Sequence, residues 1–407
     1  MAVDQISRHY IELAFAIERH MEGYIDGYYG PAELKEQAAA QPDQSLDAIA
    51  DGLGLLRAAL QASDYPLRRK QYLGVQIRGM QTMVRKLAGD QINYRDEVRD
   101  YFDIEPTQTP DDVFAEAIEQ LDELLPGEGE IADRMREWNR RFEVSTEVAQ
   151  KMISVIAAEA RKRTLAMLEL PSDESVSFSL VNDKPWSGYN WYLGGHKSLV
   201  EINTDLPIRA NRLLGLICHE AYPGHHTEHS LKEYELYEQK GWGEHSILLI
   251  NTPECVISEG IATLAEEIIF EHDYNEWLAR EVFPLAQIDV DVALIQRINA
   301  AARPMAALNS NAALLLHEQG ADPEEVVQYI MRYGLRTEKE ARQSLRFISD
   351  PLWRPYVFTY HAGYALLSRW LKRGDRKERF VTLLRDQIFP SLIETWVIEE
   401  ERNCVRG

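Results

Sequence analysis

The sequence has little cysteine and no long apolar run. Its three cysteines, Cys218, Cys255 and Cys404, are odd in number and scattered, which argues against structural disulfides and is typical of a reducing cytoplasm. No run of about 18 apolar residues, the length of a membrane-spanning helix, is present. The N-terminal segment lacks a basic leader and a cleavage site, so we expect a cytoplasmic protein without a secretory signal.

Positive charge is also scarce. The chain carries 44 lysines and arginines against 66 acidic residues, a net charge of −22. Such a surplus of negative charge repels phosphate backbones and anionic lipid headgroups, so we expect neither nucleic acid nor a membrane as a partner. The apolar fraction of 45% is ordinary for a globular protein, and 407 residues are ample for a large core.

Helical periodicity dominates the chain, which predicts a mainly α-helical fold. Asp322 before two glutamates, and Thr337 three residues before Glu340, are typical capping signals at helix starts. We predict an N-terminal helical scaffold over residues 1–170. Residues 171–407 would form a catalytic helical region that carries the short strands and a metal site, and the two regions would share one cleft as a compact unit.

Two short segments, residues 176–181 and 198–202, have the alternating pattern of β-strands. They precede a helix that is rich in histidine. We expect these strands either to provide an edge to which an extended substrate pairs, or to form a small hairpin that caps the helices.

The motif LLGLICHEAYPGHHTEH at residues 213–229 organises this second region. An apolar run leads to adjacent His219 and Glu220, and four of the eleven histidines of the chain fall within this motif. A His-Glu pair at the end of a buried helix is the first half of the HExxH signature, in which two histidines bind zinc and the glutamate is the base. The second half is altered, because Pro223 stands where the next histidine belongs.

A regular helix cannot bring the later histidines to His219. At about 100° and 1.5 Å per residue, His225 would lie about 120° around the helix and His226 about 10 Å along it. Pro223 has no N–H group and its ring crowds the preceding turn, and Gly224 permits backbone conformations closed to other residues. We therefore interpret HEAYPGH as an HExxH site with two inserted residues, in which a break returns His225 to His219.

Alternative interpretations of the motif remain open at this point. His226 could replace His225 after a differently shaped bulge, and a site could use His229, which lies four residues after His225. The histidines could also be satisfied by hydrogen bonds in a kinked helix without any metal.

A third ligand is expected further along the chain, since catalytic zinc has three protein ligands and one open position. The segment CVISEGIATLAEE has helical periodicity, and its Glu259 falls between apolar Ile257 and Ile261. A buried carboxylate there is costly unless it is paired or bound to metal. The alternative is a surface glutamate that is favoured by the dipole of the first helical turn.

The combination of HExxPGHH with an EGxA helix resembles the bacterial family known as domain of unknown function 885, whose members are regarded as candidate metallopeptidases. The phrase SEGIATLAEE also resembles the helix that supplies the glutamate ligand in gluzincin peptidases. The resemblance implies one zinc ion held by His219, His225 and Glu259, with Glu220 as the base. It implies nothing about substrate specificity.

The segment 350–369 contains candidates for a group that stabilises an oxyanion, a role often filled by tyrosine or histidine. They are Tyr360, His361 and Tyr364, and Gly363 would permit close approach. A Y-x-x-G step in the resembled family points to Tyr360, although aromatic residues at helical spacing are also typical of a core.

These patterns together predict a zinc-dependent hydrolase. We expect a metallopeptidase that cleaves peptide bonds with a metal-activated water. A hydrolase of a non-peptide amide or ester would use the same groups, and a non-catalytic scaffold with a structural metal site is the third hypothesis. Structural zinc sites favour closed, cysteine-rich ligand sets, which this motif does not have.

Overall fold

A computed structural model describes residues 3–184, 186–271 and 273–406, with side chains up to residue 402. The side chain of Cys404 thus lies outside the described part. The fold is mainly α-helical with small sheets, so the predicted fold class is confirmed. None of the helices in these ranges combines the length and apolar character needed to cross a bilayer.

The first ten helices run from the N-terminus to the histidine-rich motif. They are α1 (Gln5–Glu18), α2 (Ala32–Ala40), α3 (Leu46–Ala62), α4 (Leu67–Leu87), α5 (Tyr94–Phe102), α6 (Asp111–Leu124), α7 (Ile131–Arg140), α8 (Thr146–Leu165), α9 (Ala210–Glu220) and α10 (His225–Lys232). The remaining helices are α11 (Pro253–Ile269), α12 (Tyr274–Trp277), α13 (Val292–Ala302), α14 (Leu308–His317), α15 (Pro323–Gly334), α16 (Glu338–Ser349), α17 (Val357–Leu371), α18 (Arg376–Arg385) and α19 (Pro390–Arg406).

Both predicted capping signals are confirmed. Asp322 caps α15 and Thr337 caps α16. In each case the carboxylate of the glutamate three residues later accepts a hydrogen bond from the backbone N–H of the cap residue. These reciprocal bonds satisfy backbone N–H groups that have no partner inside the helix.

The strands are β1 (Ile25–Tyr28), β2 (Glu143–Val144), β3 (Ser175–Val181), β4 (Gly188–Gly194), β5 (Lys197–Asn203), β6 (Ile208–Arg209) and β7 (Ile247–Leu249). The two predicted strands are present as β3 and β5. They do not form a hairpin with each other, because they pair in parallel. The strand β4, which the sequence analysis did not predict, pairs antiparallel with β5 and is an edge of this sheet.

Helix α11 lies between two hydrophobic cores. Its Cys255 and Val256 belong to a core built with the N-terminal helices, whereas its Ile257 and Ile261 belong to a core shared with α8, α9 and α17. A helix buried on both sides has few orientations open to it. Glu259 is therefore held in a defined place between the cores, at 4% exposure. The proposed division at residue 170 stays a prediction.

Helices α11 and α17 cross at two glycines. A Cβ atom on Gly260 would lie 2.9 Å from the carbonyl carbon of Gly363, and one on Gly363 would clash with the carbonyl oxygen of Val256. The two backbones therefore touch directly. This contact brings Tyr356, the residue directly before α17, and Tyr360 of α17 close to Glu259 of α11.

We expect Gly363→Ala to destabilise the protein by about 1–3 kcal/mol, since the added methyl group forces the two helix backbones apart. Gly74→Ala on α4 is the matched control, because no atom lies within 4 Å of a Cβ there. In that helix interior alanine should be neutral or stabilising by up to about 1 kcal/mol. Denaturant unfolding measures both. Equal stability of the Gly363→Ala and wild-type proteins would contradict the close crossing.

Candidate metal centre

The predicted break in the histidine-rich motif is present. Helix α9 ends at Glu220, and α10 begins at His225. Gly224 has a φ of −76°, outside the left-handed region. It is required for close approach, because a Cβ atom at Gly224 would clash with the carbonyl oxygens of Cys218 and His219.

This break brings His225 beside His219. Their ring centroids are 4.7 Å apart with the planes nearly perpendicular. Glu259 from α11 lies against both rings, with its Oε2 atom 3.3 Å from His219 Nε2 and 3.9 Å from His225 Nε2. One ligand atom from each of the three residues lies within 4.8 Å of the other two. The three residues that the resemblance implied as metal ligands thus converge on one point.

The buried oxygen of Glu259 fits a bound cation. Tyr356 donates a hydrogen bond of 2.8 Å to Oε1, whereas Oε2 receives no well-directed hydrogen bond from the described residues and faces the Nε2 atoms of both histidines. A buried carboxylate oxygen is costly unless it is hydrogen-bonded or paired with a cation. Two imidazole nitrogens and one carboxylate oxygen are also a ligand set that zinc uses in open, catalytic sites. The donor set therefore fits the expected metal.

Glu220 lies at the end of α9, next to the three converging residues. It is only 6% exposed, and Asn190 of β4 donates a hydrogen bond of 2.5 Å to its backbone carbonyl. Burial, together with the negative charges of Glu259 and Asp26, raises the pKa of its carboxyl to about 7. Such a group can accept and release a proton near neutral pH.

Tyr360 and His361 occupy adjacent positions on α17 but differ in their surroundings. Tyr360 is 38% exposed as a whole residue, and its ring packs edge-on against Tyr356 at 5.8 Å; desolvation by the surrounding protein and then the charges of Glu259 and Glu220 raise its pKa. For His361, burial alone lowers the pKa. The charges of Glu259 and Glu220 thus act on Tyr360, whereas no such charge contributes to the pKa shift of His361. Tyr364 instead donates a hydrogen bond to Glu267.

His226 is turned away from His219 into a separate buried network. Its Nδ1 lies 2.9 Å from the hydroxyl of Ser198, and its Nε2 lies 3.0 Å from Glu174. Tyr222 donates a hydrogen bond to the same carboxylate. Both ring nitrogens thus have partners and His226 is fully buried, so the structure does not bring it to the converging set.

His229 stacks against His225 with ring centroids 6.0 Å apart and is not part of the converging set of ligand atoms. Cys218 and Cys255 are buried with free thiols.

Asp26 lies near this site but was not predicted from the sequence. It lies where the pairing of β1 with β7 is irregular, between Ile25 and Gly27, and Tyr189 of β4 donates a hydrogen bond to it. Burial and, to a smaller extent, the charge of Glu259 raise the pKa of Asp26 to about 6. Irregular strand positions often redirect a side chain near a functional site. Nothing in the spacing of the sequence indicates this, because the contact joins residues far apart in the chain.

No family model and no curated protein matches this chain. A candidate lipoprotein from Colwellia psychrerythraea has a similar structure, with a TM-score of 0.53 and 16% identity over 86% of this chain and 66% of that one. A candidate lipoprotein of unknown function from Shewanella oneidensis has a TM-score of 0.50 and 12% identity over 90% of this chain and 73% of that one. At these identities the likeness shows a shared fold alone.

An M32 carboxypeptidase from Deinococcus radiodurans R1 has a TM-score of 0.39 and 14% identity over 96% of this chain and 90% of that one. A likeness of this strength supports no argument about the chain. Membership of the family known as domain of unknown function 885 stays a prediction.

Proposed function

We propose that this chain is a zinc-dependent hydrolase and, more specifically, a metallopeptidase. The observation that carries the proposal is the convergence of His219, His225 and the Oε2 atom of Glu259 beside the buried carboxyl of Glu220. Residues of these types are the ligands and the base of zinc hydrolases.

In this proposal His219, His225 and Glu259 hold the metal. Zinc in such a set lowers the pKa of a water molecule and polarises a carbonyl group. Glu220 accepts a proton from the attacking water and transfers it to the leaving nitrogen, as a general base and then a general acid. Gly188 lies against this carboxyl group, since a Cβ atom built there would lie 3.4 Å from Glu220 Oε1.

Tyr360 is proposed to stabilise the oxyanion of the tetrahedral intermediate by donating a hydrogen bond. The raised pKa keeps its hydroxyl protonated, which a donor requires. We expect Tyr360→Phe to lower kcat by about 10²–10³-fold with little change in KM, the effect typical for loss of one oxyanion donor. Steady-state kinetics on a cleaved peptide measures this.

His361→Ala is the matched control for Tyr360→Phe and should keep kcat within a few-fold. The reverse result, with a large effect at His361 and none at Tyr360, would transfer the role to the histidine.

The edge strand β4 is proposed to bind an extended substrate. It runs from Gly188, beside Glu220, to Gly194, and β5 pairs with one side of it. Aromatic rings of this strand and of the segment before it pack together: Tyr189 lies 5.5 Å from Trp186, which precedes the strand, and 4.6 Å from Trp191, which is exposed. Peptides add to such edges through main-chain hydrogen bonds, and side-chain surfaces supply selectivity.

The test combines metal analysis of the purified protein with digestion of a peptide library, with and without a chelator. We expect bound zinc and peptide cleavage that the chelator abolishes and added zinc restores. Zinc without cleavage of any peptide, but with hydrolysis of amide or ester substrates, would favour the non-peptide hydrolase. Zinc without any turnover would favour the structural scaffold. The cytoplasmic location and the absence of nucleic-acid or membrane partners stay predictions from composition.

A further inference from the structure

A buried chain of hydrogen bonds leads away from the proposed ligand His225. It consists of Ser258 on α11 and of Glu228 and Lys232 on α10, and it continues to Glu254. Glu228 is fully buried and Lys232 is 3% exposed. Charged groups at such depth are rare unless they are paired, and the proposed reaction uses neither of them directly. Their position therefore calls for a separate role.

The direction of each hydrogen bond in this chain follows from the groups involved. Lys232 can only donate, and it donates to Glu228 Oε1 at 2.7 Å and to Glu254 Oε1 at 3.0 Å. An ionised carboxylate can only accept, so the hydroxyl of Ser258 donates to Glu228 Oε2, at 2.6 Å. The single proton of that hydroxyl is then committed.

The Ser258 oxygen must consequently act as the acceptor toward His225. The Nδ1 atom of His225 lies 3.0 Å from it, so this nitrogen carries the proton. In a neutral imidazole only one nitrogen is protonated. The lone pair therefore lies on Nε2, the atom that faces Glu259.

We propose that Ser258 and Glu228 are positioning residues that hold the Nδ1 proton of His225 and thereby direct its Nε2 lone pair to the metal. This inference rests on the metal site of the proposed function. Histidine ligands of metals usually donate their second N–H to a carboxylate or carbonyl group. Here the carboxylate of Glu228, which Lys232 holds in place, accepts the proton of the Ser258 hydroxyl. The oxygen of Ser258 in turn accepts the hydrogen bond from His225.

The local sequence produces this arrangement. Glu228 lies three residues after His225, and Lys232 four residues after Glu228, so all three are neighbours on one side of α10. Ser258 directly precedes Glu259, so one turn of α11 supplies both a proposed ligand and the group that orients another. The proposal thereby assigns a role to Glu228 of the HHTEH segment and to Ser258 of the SEG segment.

The test is Ser258→Ala, with two readouts that do not require turnover. Competition with a chelator should show zinc binding weakened by about 10–100-fold, as for loss of other groups that orient ligands. Nitrogen NMR of the metal-free protein with labelled histidine rings, assigned with His225→Gln, should show the Nδ1–H form of His225 in the wild type. In the variant this form should give way to a mixture of both tautomers.

Two further variants keep the test decisive. Ser258→Thr retains the hydroxyl and should restore zinc affinity and the Nδ1–H form. Ser230→Ala removes a buried serine of α10 that lies outside this hydrogen-bond chain and should change neither. Wild-type zinc affinity and an unchanged tautomer in a folded Ser258→Ala protein would overturn the inference, as would an Nε2–H form in the wild type. Absence of peptide cleavage would count against the proposed function without affecting either readout.

Discussion

Glu220→Gln should abolish turnover and leave the zinc content unchanged. The amide has nearly the same shape as the carboxyl group but cannot accept a proton from the attacking water. Loss of a general base typically lowers kcat by about 10²–10⁴-fold. Zinc affinity should persist, because Glu220 is not among the converging ligand atoms. Single-turnover kinetics and elemental analysis of the same preparation measure the two quantities.

The matched control is Glu266→Gln on α11. Burial, with a contribution from Glu267, raises the pKa of this carboxyl to about 7 as well, but it lies two helical turns from Glu259. The Glu266→Gln variant should keep most of the activity. Near-normal activity in Glu220→Gln would remove the proposed mechanism, whereas equal losses in both variants would indicate a general effect of replacing buried carboxyl groups.

His225→Ala should lose zinc together with activity, whereas His226→Ala should retain zinc. Removing a direct ligand costs more than the roughly 10–100-fold in metal affinity that loss of a supporting residue costs. His226 instead bridges Ser198 and Glu174. Its removal leaves buried partners unsatisfied, and we expect a lower free energy of unfolding. Zinc titration and thermal unfolding of each variant separate the two effects.

His229→Ala serves as the control for general loss of a histidine from α10, because its ring stacks on that of His225 outside the converging set. The His229→Ala variant should bind zinc with an affinity near that of the wild type. Zinc loss in His226→Ala with retention in His225→Ala would instead make His226 the second ligand.

The local geometry of the motif was predictable because it depends on bonded constraints. Pro223 cannot continue α9. A regular helix through this position would keep His225 apart from His219, and Pro223 excludes that helix. Helix starts at Asp322 and Thr337 were predictable for the same reason, since a capping residue bonds to N–H groups within the same turn.

Other parts of the site were not predictable from local pattern. Strand β4 was missed because its glycines and aromatic residues are typical of a loop, and its strand conformation depends on pairing with β5. Asp26 and Tyr356 come from distant segments, and only the packing of β1 on β7 and of α17 on α11 brings them to Glu259 and Tyr189. The surroundings of Tyr360 and His361 likewise depend on how α17 packs against α11, where the backbones of Gly260 and Gly363 meet.

The sequence by itself determined the helical class, the break at Pro223 and the set of residues able to bind zinc, because each follows from backbone chemistry or side-chain type within a few residues. Only the tertiary structure decided which histidine meets His219, which oxygen of Glu259 faces the two histidines and which tyrosine bonds the other oxygen. Those outcomes depend on contacts between segments far apart in the chain. Such contacts are set by the packing of two cores around α11, which no local pattern encodes.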